Sequence, residues 1–103
     1  MKKIINITDA KKIFLSFKKE KKNLVLCHGV FDMLHPGHII HLQKAKSLGD
    51  ILIVSVTADK FVNKGPGRPV FSEIERAMVL SALKVVDFVL INNAATPIKL
   101  FPI

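Results

Sequence analysis

Leu24-Val-Leu-Cys-His-Gly-Val-Phe-Asp-Met-Leu-His-Pro-Gly-His38 is the stretch on which the fold turns. Its opening residues, Leu24 to Cys27, are apolar without alternation. That is the pattern of a strand covered on both faces, and such strands belong to parallel sheets. Gly29 permits a tight turn and a close backbone approach by a ligand, and Pro36 suits the first turn of a helix. Strand therefore passes into helix across Gly29 to Pro36. In open parallel sheets ligands sit beyond the carboxyl ends of the strands. A helix opening at that point aims backbone N–H groups and a partial positive charge at the same space. His35 and His38, at i and i+3, project from one side of its first turn.

Working outward, Ile51-Leu-Ile-Val-Ser-Val56 and Phe88-Val-Leu-Ile91 repeat the unbroken apolar pattern. Between the strands, Ile39, Ile40, Leu42 and Ala45 form an apolar helical face that Gly49 ends. Ser72-Glu-Ile-Glu75 is a capping box opening a helix through Ala77, Met78, Leu80 and Leu83. Ahead of the first strand, Thr8-Asp9 offers an N-cap, and Ile13, Phe14 and Phe17 follow at helical spacing, predicting a helix from Thr8 to about Lys19. The order is a βαβαβ core over residues 23–103 with a helical extension over residues 1–22: one α/β domain with a doubly wound parallel sheet of three strands. Thr96-Pro97 resembles the start of another helix.

With 103 residues, half of them hydrophobic and 23% charged, the chain is one small globular domain and not a disordered segment. No run approaches the roughly 18 apolar residues of a membrane span, and the apolar part of Met1 to Asn6 is too short for a signal peptide. The expectation is a cytoplasmic protein. The single cysteine, Cys27, excludes an internal disulfide and reads as a small core residue. Sixteen basic against eight acidic residues give a net charge of +8, which favours anionic partners. Much of the excess lies in Lys18-Lys-Glu-Lys-Lys22, at a helix end where cations complement the dipole. Nucleic acid fits poorly as the partner: there is no Trp or Tyr, so the lysines are not interleaved with the aromatics that stack bases.

Two imidazoles beside a helix N-terminus suit an oxyanion that gains charge during reaction. The same spacing serves two other purposes. The pair can hold a metal, although only Asp32 lies near enough in sequence to add a ligand, or both histidines can cap the helix. His28 and His41 carry less signal and read as surface histidines without partners. Lys44 and Lys46 read as surface residues, and Asp50 and Asp87 as residues that cap or flank strands.

Phe31-Asp-Met-Leu-His-Pro-Gly-His38 resembles the HxGH signature of the cytidylyltransferase-like nucleotidyltransferase superfamily. The likeness extends through Leu42 to Asp50, Val54 to Asp59, Lys64-Gly-Pro-Gly-Arg-Pro-Val70, Glu75-Arg76 and Val86-Asp87, and so covers about Leu24 to Ile91. The Lys64 to Val70 loop is most similar to that of bacterial heptose 1-phosphate adenylyltransferases. Glycerol 3-phosphate cytidylyltransferases share the frame without the loop.

The resemblance implies a Rossmann-like nucleotidyltransferase fold and a direct displacement. An acceptor's phosphate oxygen attacks the α-phosphorus of a nucleoside triphosphate, and pyrophosphate leaves. It implies ATP rather than CTP, a sugar phosphate such as heptose 1-phosphate as acceptor, and Mg²⁺ with the triphosphate. His35 and His38 would contact the phosphates, and Lys64 and Arg68 would fold over the triphosphate or the acceptor. Gly29, Val30, Phe31, Asp32, Gly37 and Arg76 would line the nucleotide site, Arg76 holding phosphate and Asp32 orienting a neighbour or assisting Mg²⁺. Asp59 would face the acceptor. Solvated loop charges at Lys64 and Arg68, and an ion pair of Arg76 with Glu73 or Glu75, are the structural alternatives.

The sequence departs from the family in two places. Val30 stands where members carry a small polar residue, so a side-chain contact there is lost while a backbone contact survives. Members also continue to two further strands and a Ser/Thr-rich segment that binds nucleotide, and nothing after Thr96-Pro97 supplies them. The expectation is then a strand edge at Leu24 to Cys27 left unpaired, open to self-association, and either an enzyme or a nucleotide-binding module without catalysis.

Overall fold

The computed structural model describes residues 3–62 and 65–93. Strand β1 (Ile4–Ile5) leads into helix α1 (Ile7–Lys19), followed by β2 (Leu24–Gly29), α2 (Pro36–Ser47), β3 (Ile51–Thr57), a single 3-10 turn (Asp59–Phe61), α3 (Glu73–Ser81) and β4 (Phe88–Asn92). The four strands form one parallel sheet in the order β1-β4-β3-β2. The doubly wound architecture is the expected one, with a strand more than the sequence indicated. Ile4–Ile5 is too short to show a pattern of its own. It becomes a strand by pairing with Val89 and Leu90, helped by the Val89 amide donating to the Lys3 carbonyl at 2.8 Å. The N-terminal segment thus contributes to the sheet as well as a helix.

The two faces of the sheet bury different sets of side chains. Cys27, Leu52, Val54, Val56 and Val89 pack with Leu42 and Ala45 of α2 and Ala77 and Leu80 of α3. Ile53, Phe88 and Leu90 pack with Ala10 of α1 on the opposite face, joined by Leu24, Leu26 and Phe17. This two-sided covering is why the strands read as unbroken apolar runs.

Several expected details move. Asn6, not Thr8, caps α1, its side chain accepting from the Asp9 amide at 2.8 Å, so the helix starts at Ile7. Of the apolar face expected for α2, Leu42 and Ala45 are buried but Ile40 is 64% exposed. Met78 of α3 likewise points outward, because the inward face of this nine-residue helix is Arg76, Ala77 and Leu80. The Ser72–Glu75 capping box forms as expected, with both reciprocal bonds present.

Asp50 and Asp87 do flank strands, accepting from the amides of Asn23 and Leu52. Lys46 is more than a surface residue: its ammonium donates to Asp87 at 2.7 Å and to the Asp50 carbonyl, tying α2 to the sheet. Among the described residues β2 pairs on one side only. No helix among them is long and apolar enough to cross a membrane. The helix suggested at Thr96-Pro97 lies outside the described residues.

Candidate active site at the carboxyl end of the sheet

The chain leaves β2 at Gly29 and enters α2 at Pro36, and the turn between them is shaped by its rings. Phe31 has φ of +51°, a left-handed conformation that a bulky residue adopts only when its surroundings enforce it. In that pose its ring lies over Gly29, where an added Cβ would meet the ring at 2.8 Å, and edge-on to His38 with centroids 5.7 Å apart. Gly29 therefore makes room for Phe31, which replaces the tight-turn role expected for it.

The His-Pro-Gly-His spacing has an equally local cause. His35 is the N-cap of α2, and its Nδ1 accepts from the Gly37 amide at 3.0 Å. The His35 amide in turn donates to Nδ1 of His38 at 3.2 Å, a capping box built from two imidazoles. Gly37 stands between them because a Cβ there would lie 2.7 Å from Cε1 of His35. The capping role was one of the readings left open by the sequence, and it has a chemical consequence. A ring whose Nδ1 accepts from a backbone N–H carries its proton on Nε2, so in both histidines Nε2–H is the donor. The rings lie against one another, tilted by 39°, with centroids 4.0 Å apart.

One expectation changes here. The backbone N–H groups expected to be open at this helix start are engaged, Gly37 with His35 Nδ1 and His38 with the His35 carbonyl at 2.9 Å. What the helix offers a ligand is its dipole and imidazole N–H groups.

Beside this turn lies a pocket of about 420 Å³ bounded by the β2 end (His28 to Met33), by His38 and His41 of α2, and by Arg68. His35 is not among its lining residues; its ring packs against His38, which is. Arg68 is placed by Asp32, which is 7% exposed. The Arg68 guanidinium donates to Oδ2 at 2.9 Å, the Val70 amide to the same oxygen, and the Phe71 amide to Oδ1. Burial alone would raise the Asp32 pKa; the Phe71 and Val70 amides and the Arg68 charge outweigh it and hold the carboxyl at about 2. Asp32 thus orients a neighbour, one of the two roles expected of it.

Its fit to Mg²⁺ is poor. Both oxygens already accept from the protein, and among the described residues no three His, Cys, Asp or Glu side chains gather to hold a metal. Ligation by the histidine pair meets the same obstacle, because each Nδ1 is committed to the cap.

Arg76 is the clear correction, and it draws in one oxygen of Asp59. The Arg76 side chain has no exposed surface and binds protein throughout. Its Nε donates to the Phe71 carbonyl, one terminal nitrogen to the carbonyls of Val30 (2.8 Å) and Thr57 (2.7 Å), and the other to Oδ1 of Asp59 at 2.6 Å. It is a clamp on the strand ends and not a phosphate ligand, and its ion partner is Asp59 in place of Glu73 or Glu75. Asp59, expected on the acceptor side, is committed through that oxygen to Arg76. Lys64 lies outside the described residues.

Sequence reasoning passed over His28, which is neither alone nor peripheral. Its Nδ1 lies 3.0 Å from Ser55 Oγ and its Nε2 3.4 Å from Thr57 Oγ1, and the ring lines the pocket. The available signal was the alternation Leu24, Leu26, His28 along one face of β2, which carries His28 to the end of the strand on the α1 side. His41 also lines the pocket.

Comparison with known proteins points the same way. The family model for cytidylyltransferase-like proteins matches residues 26–100. The bifunctional protein HldE of Helicobacter pylori (strain J99 / ATCC 700824) is 42% identical over 96 residues, 91% of this chain and 21% of the relative. HldE of Geotalea uraniireducens (strain Rf4) is 44% identical over 100 residues, 95% of this chain and 20% of the relative. The chain thus spans about a fifth of the length of these curated relatives. Among solved structures, the lipopolysaccharide core biosynthesis protein from Thermoplasma volcanium GSS1 superposes with a TM-score of 0.65 at 40% identity, covering 70% of this chain and 59% of that one.

Proposed function

This chain belongs to the cytidylyltransferase-like family, and from that premise we propose that it forms the nucleotide site of an adenylyltransferase, transferring AMP from ATP to a sugar phosphate such as heptose 1-phosphate. The observation that carries the reading is the pair of imidazoles locked at the start of α2 with Nε2–H as donor, His38 bordering the pocket that Arg68 shares. Adenylyl transfer to a heptose phosphate rests on the Lys64 to Val70 loop and on the likeness to HldE and to a lipopolysaccharide core biosynthesis protein.

In this reading an acceptor phosphate oxygen forms a bond to the α-phosphorus of ATP. The bond from that phosphorus to the bridging oxygen breaks, and pyrophosphate leaves with the electron pair. A phosphate monoester needs no general base once ionised, so the protein's work is to align two anions and stabilise the charge that develops between them. His38 donates from Nε2 to a phosphate oxygen, and His35 holds His38 and the helix start in place. Arg68, steadied by Asp32, brings a guanidinium to the same pocket. Mg²⁺ carried by the triphosphate would offset part of its charge.

The test is pyrophosphate release with ATP and heptose 1-phosphate against CTP and glycerol 3-phosphate. Faster release with the first pair supports the proposal. Preference for the second pair makes the chain a glycerol 3-phosphate cytidylyltransferase-like enzyme. Nucleotide binding without turnover makes it a non-catalytic binding module.

A further inference from the structure

The α1-side face of the sheet is apolar along most of its length and turns polar only at the carboxyl end. Leu24 and Leu26 give way to His28 on β2, and Ile51 and Ile53 to Ser55 and Thr57 on β3. His28 and Ser55 are cross-strand partners in register. Ser55 is 1% exposed; a hydroxyl buried in an apolar sheet is costly without a partner, and its partner here is Nδ1 of His28 at 3.0 Å. The Thr57 hydroxyl donates to the Gly29 carbonyl at 3.3 Å, so towards His28 its oxygen is an acceptor. With the Thr57 proton turned to the Gly29 carbonyl, the Ser55 hydroxyl donates to Nδ1 and the ring proton sits on Nε2. That Nε2–H reaches Thr57 only at 3.4 Å, longer than an ordinary N–H···O bond, on the wall of a pocket that also holds His38 and Arg68. An anionic oxygen entering the pocket offers it a better acceptor.

We propose that His28, oriented by the buried hydroxyl of Ser55, is a further ligand-binding residue, donating from Nε2 to a phosphate oxygen across the strand end from α2. The inference rests on the phosphoryl-transfer reading of the pocket. His38 approaches from the α2 face and His28 from the α1 face, so the two bracket the strand end from either side. Two like-charged phosphates have to be held together there, and separate donors on each side do so. Ser55 is a positioning residue, acting through His28.

Long-range ¹H–¹⁵N spectra of the histidine rings in the full chain test this, with ATP in Mg²⁺ and heptose 1-phosphate added separately. The expected result is that the Nε2 signal of His28 moves with at least one of them; the arm that moves it says whether the phosphate is the nucleotide's or the acceptor's. Ser55→Ala is expected to weaken that ligand about tenfold and to mix the His28 tautomers, which a merely structural serine would not do. A His28 signal that stays still while His38 responds overturns this inference and leaves the function standing, as does unchanged affinity in Ser55→Ala. No response of either ring to either ligand overturns both.

Discussion

Gly37 illustrates how a motif glycine can be required by its neighbour's ring. An alanine there would push the His35 ring away, since its Cβ would lie 2.7 Å from Cε1. Losing the cap costs about 1 kcal/mol, and exchanging glycine for alanine in a helix returns up to about 1 kcal/mol. Gly37→Ala should therefore leave the melting temperature nearly unchanged while weakening ATP at least about tenfold, because the His35 ring packed against His38 is displaced. Thermal melts beside calorimetry check the split. Asp32 carries the pH prediction at this scale. Its carboxyl sits at about 2 in the folded protein, against an ordinary aspartate value of about 3.9. A depressed folded-state pKa means stability that is complete above about pH 4 and is lost as pH falls through about 2. Acid melts of the native chain should show that decline, and in Asp32→Asn it should be missing; an identical acid profile would contradict the assignment.

At the scale of elements, the two arginines of the site region separate by burial. Arg76 joins the ends of β2 and β3 to the turn before α3 and to Asp59. Arg76→Lys cannot reproduce four directed bonds and leaves buried carbonyls unpaired, so roughly 3–5 kcal/mol of stability should go. Arg68→Lys, at a side chain 39% exposed, should shift stability by less than about 0.5 kcal/mol and act instead on phosphate binding. Denaturant unfolding of both variants decides it. The contrast was not legible in the sequence, because the carbonyls that converge on Arg76 belong to positions 30, 57 and 71. The same limit explains Ile4–Ile5, whose strand exists only through its pairing with β4. By contrast β2, β3, β4 and the Ser72 capping box were legible, because apolar runs and caps are local signals. His35, Gly37 and His38 stood out by their spacing, while the ring-on-ring capping that shapes them is visible only in three dimensions. His28 was passed over because its meaning depends on Ser55 on the neighbouring strand.

Across the whole molecule, part of the basic charge lies away from the pocket. Helix α1 ends where β2 begins, so Lys18, Lys19 and Lys22 sit at the amino end of the sheet and the pocket at its carboxyl end. A six-residue strand spans about 20 Å, more than two screening lengths of about 8 Å at physiological salt. Replacing these three lysines with glutamine should change ATP affinity by less than about twofold at that ionic strength, as read by calorimetry. A larger loss would mean that the ligand extends along the molecule, beyond the pocket described.

On the proposed function, the imidazoles at the start of α2 make this pocket a nucleotide site. The direct test is calorimetric titration of the 103-residue chain with ATP, and separately with CTP, in Mg²⁺, beside His38→Ala. The expected result is binding of ATP in preference to CTP, weakened in the variant by about tenfold or more. Equal ATP binding by the native chain and His38→Ala, or none by the native chain, would contradict it.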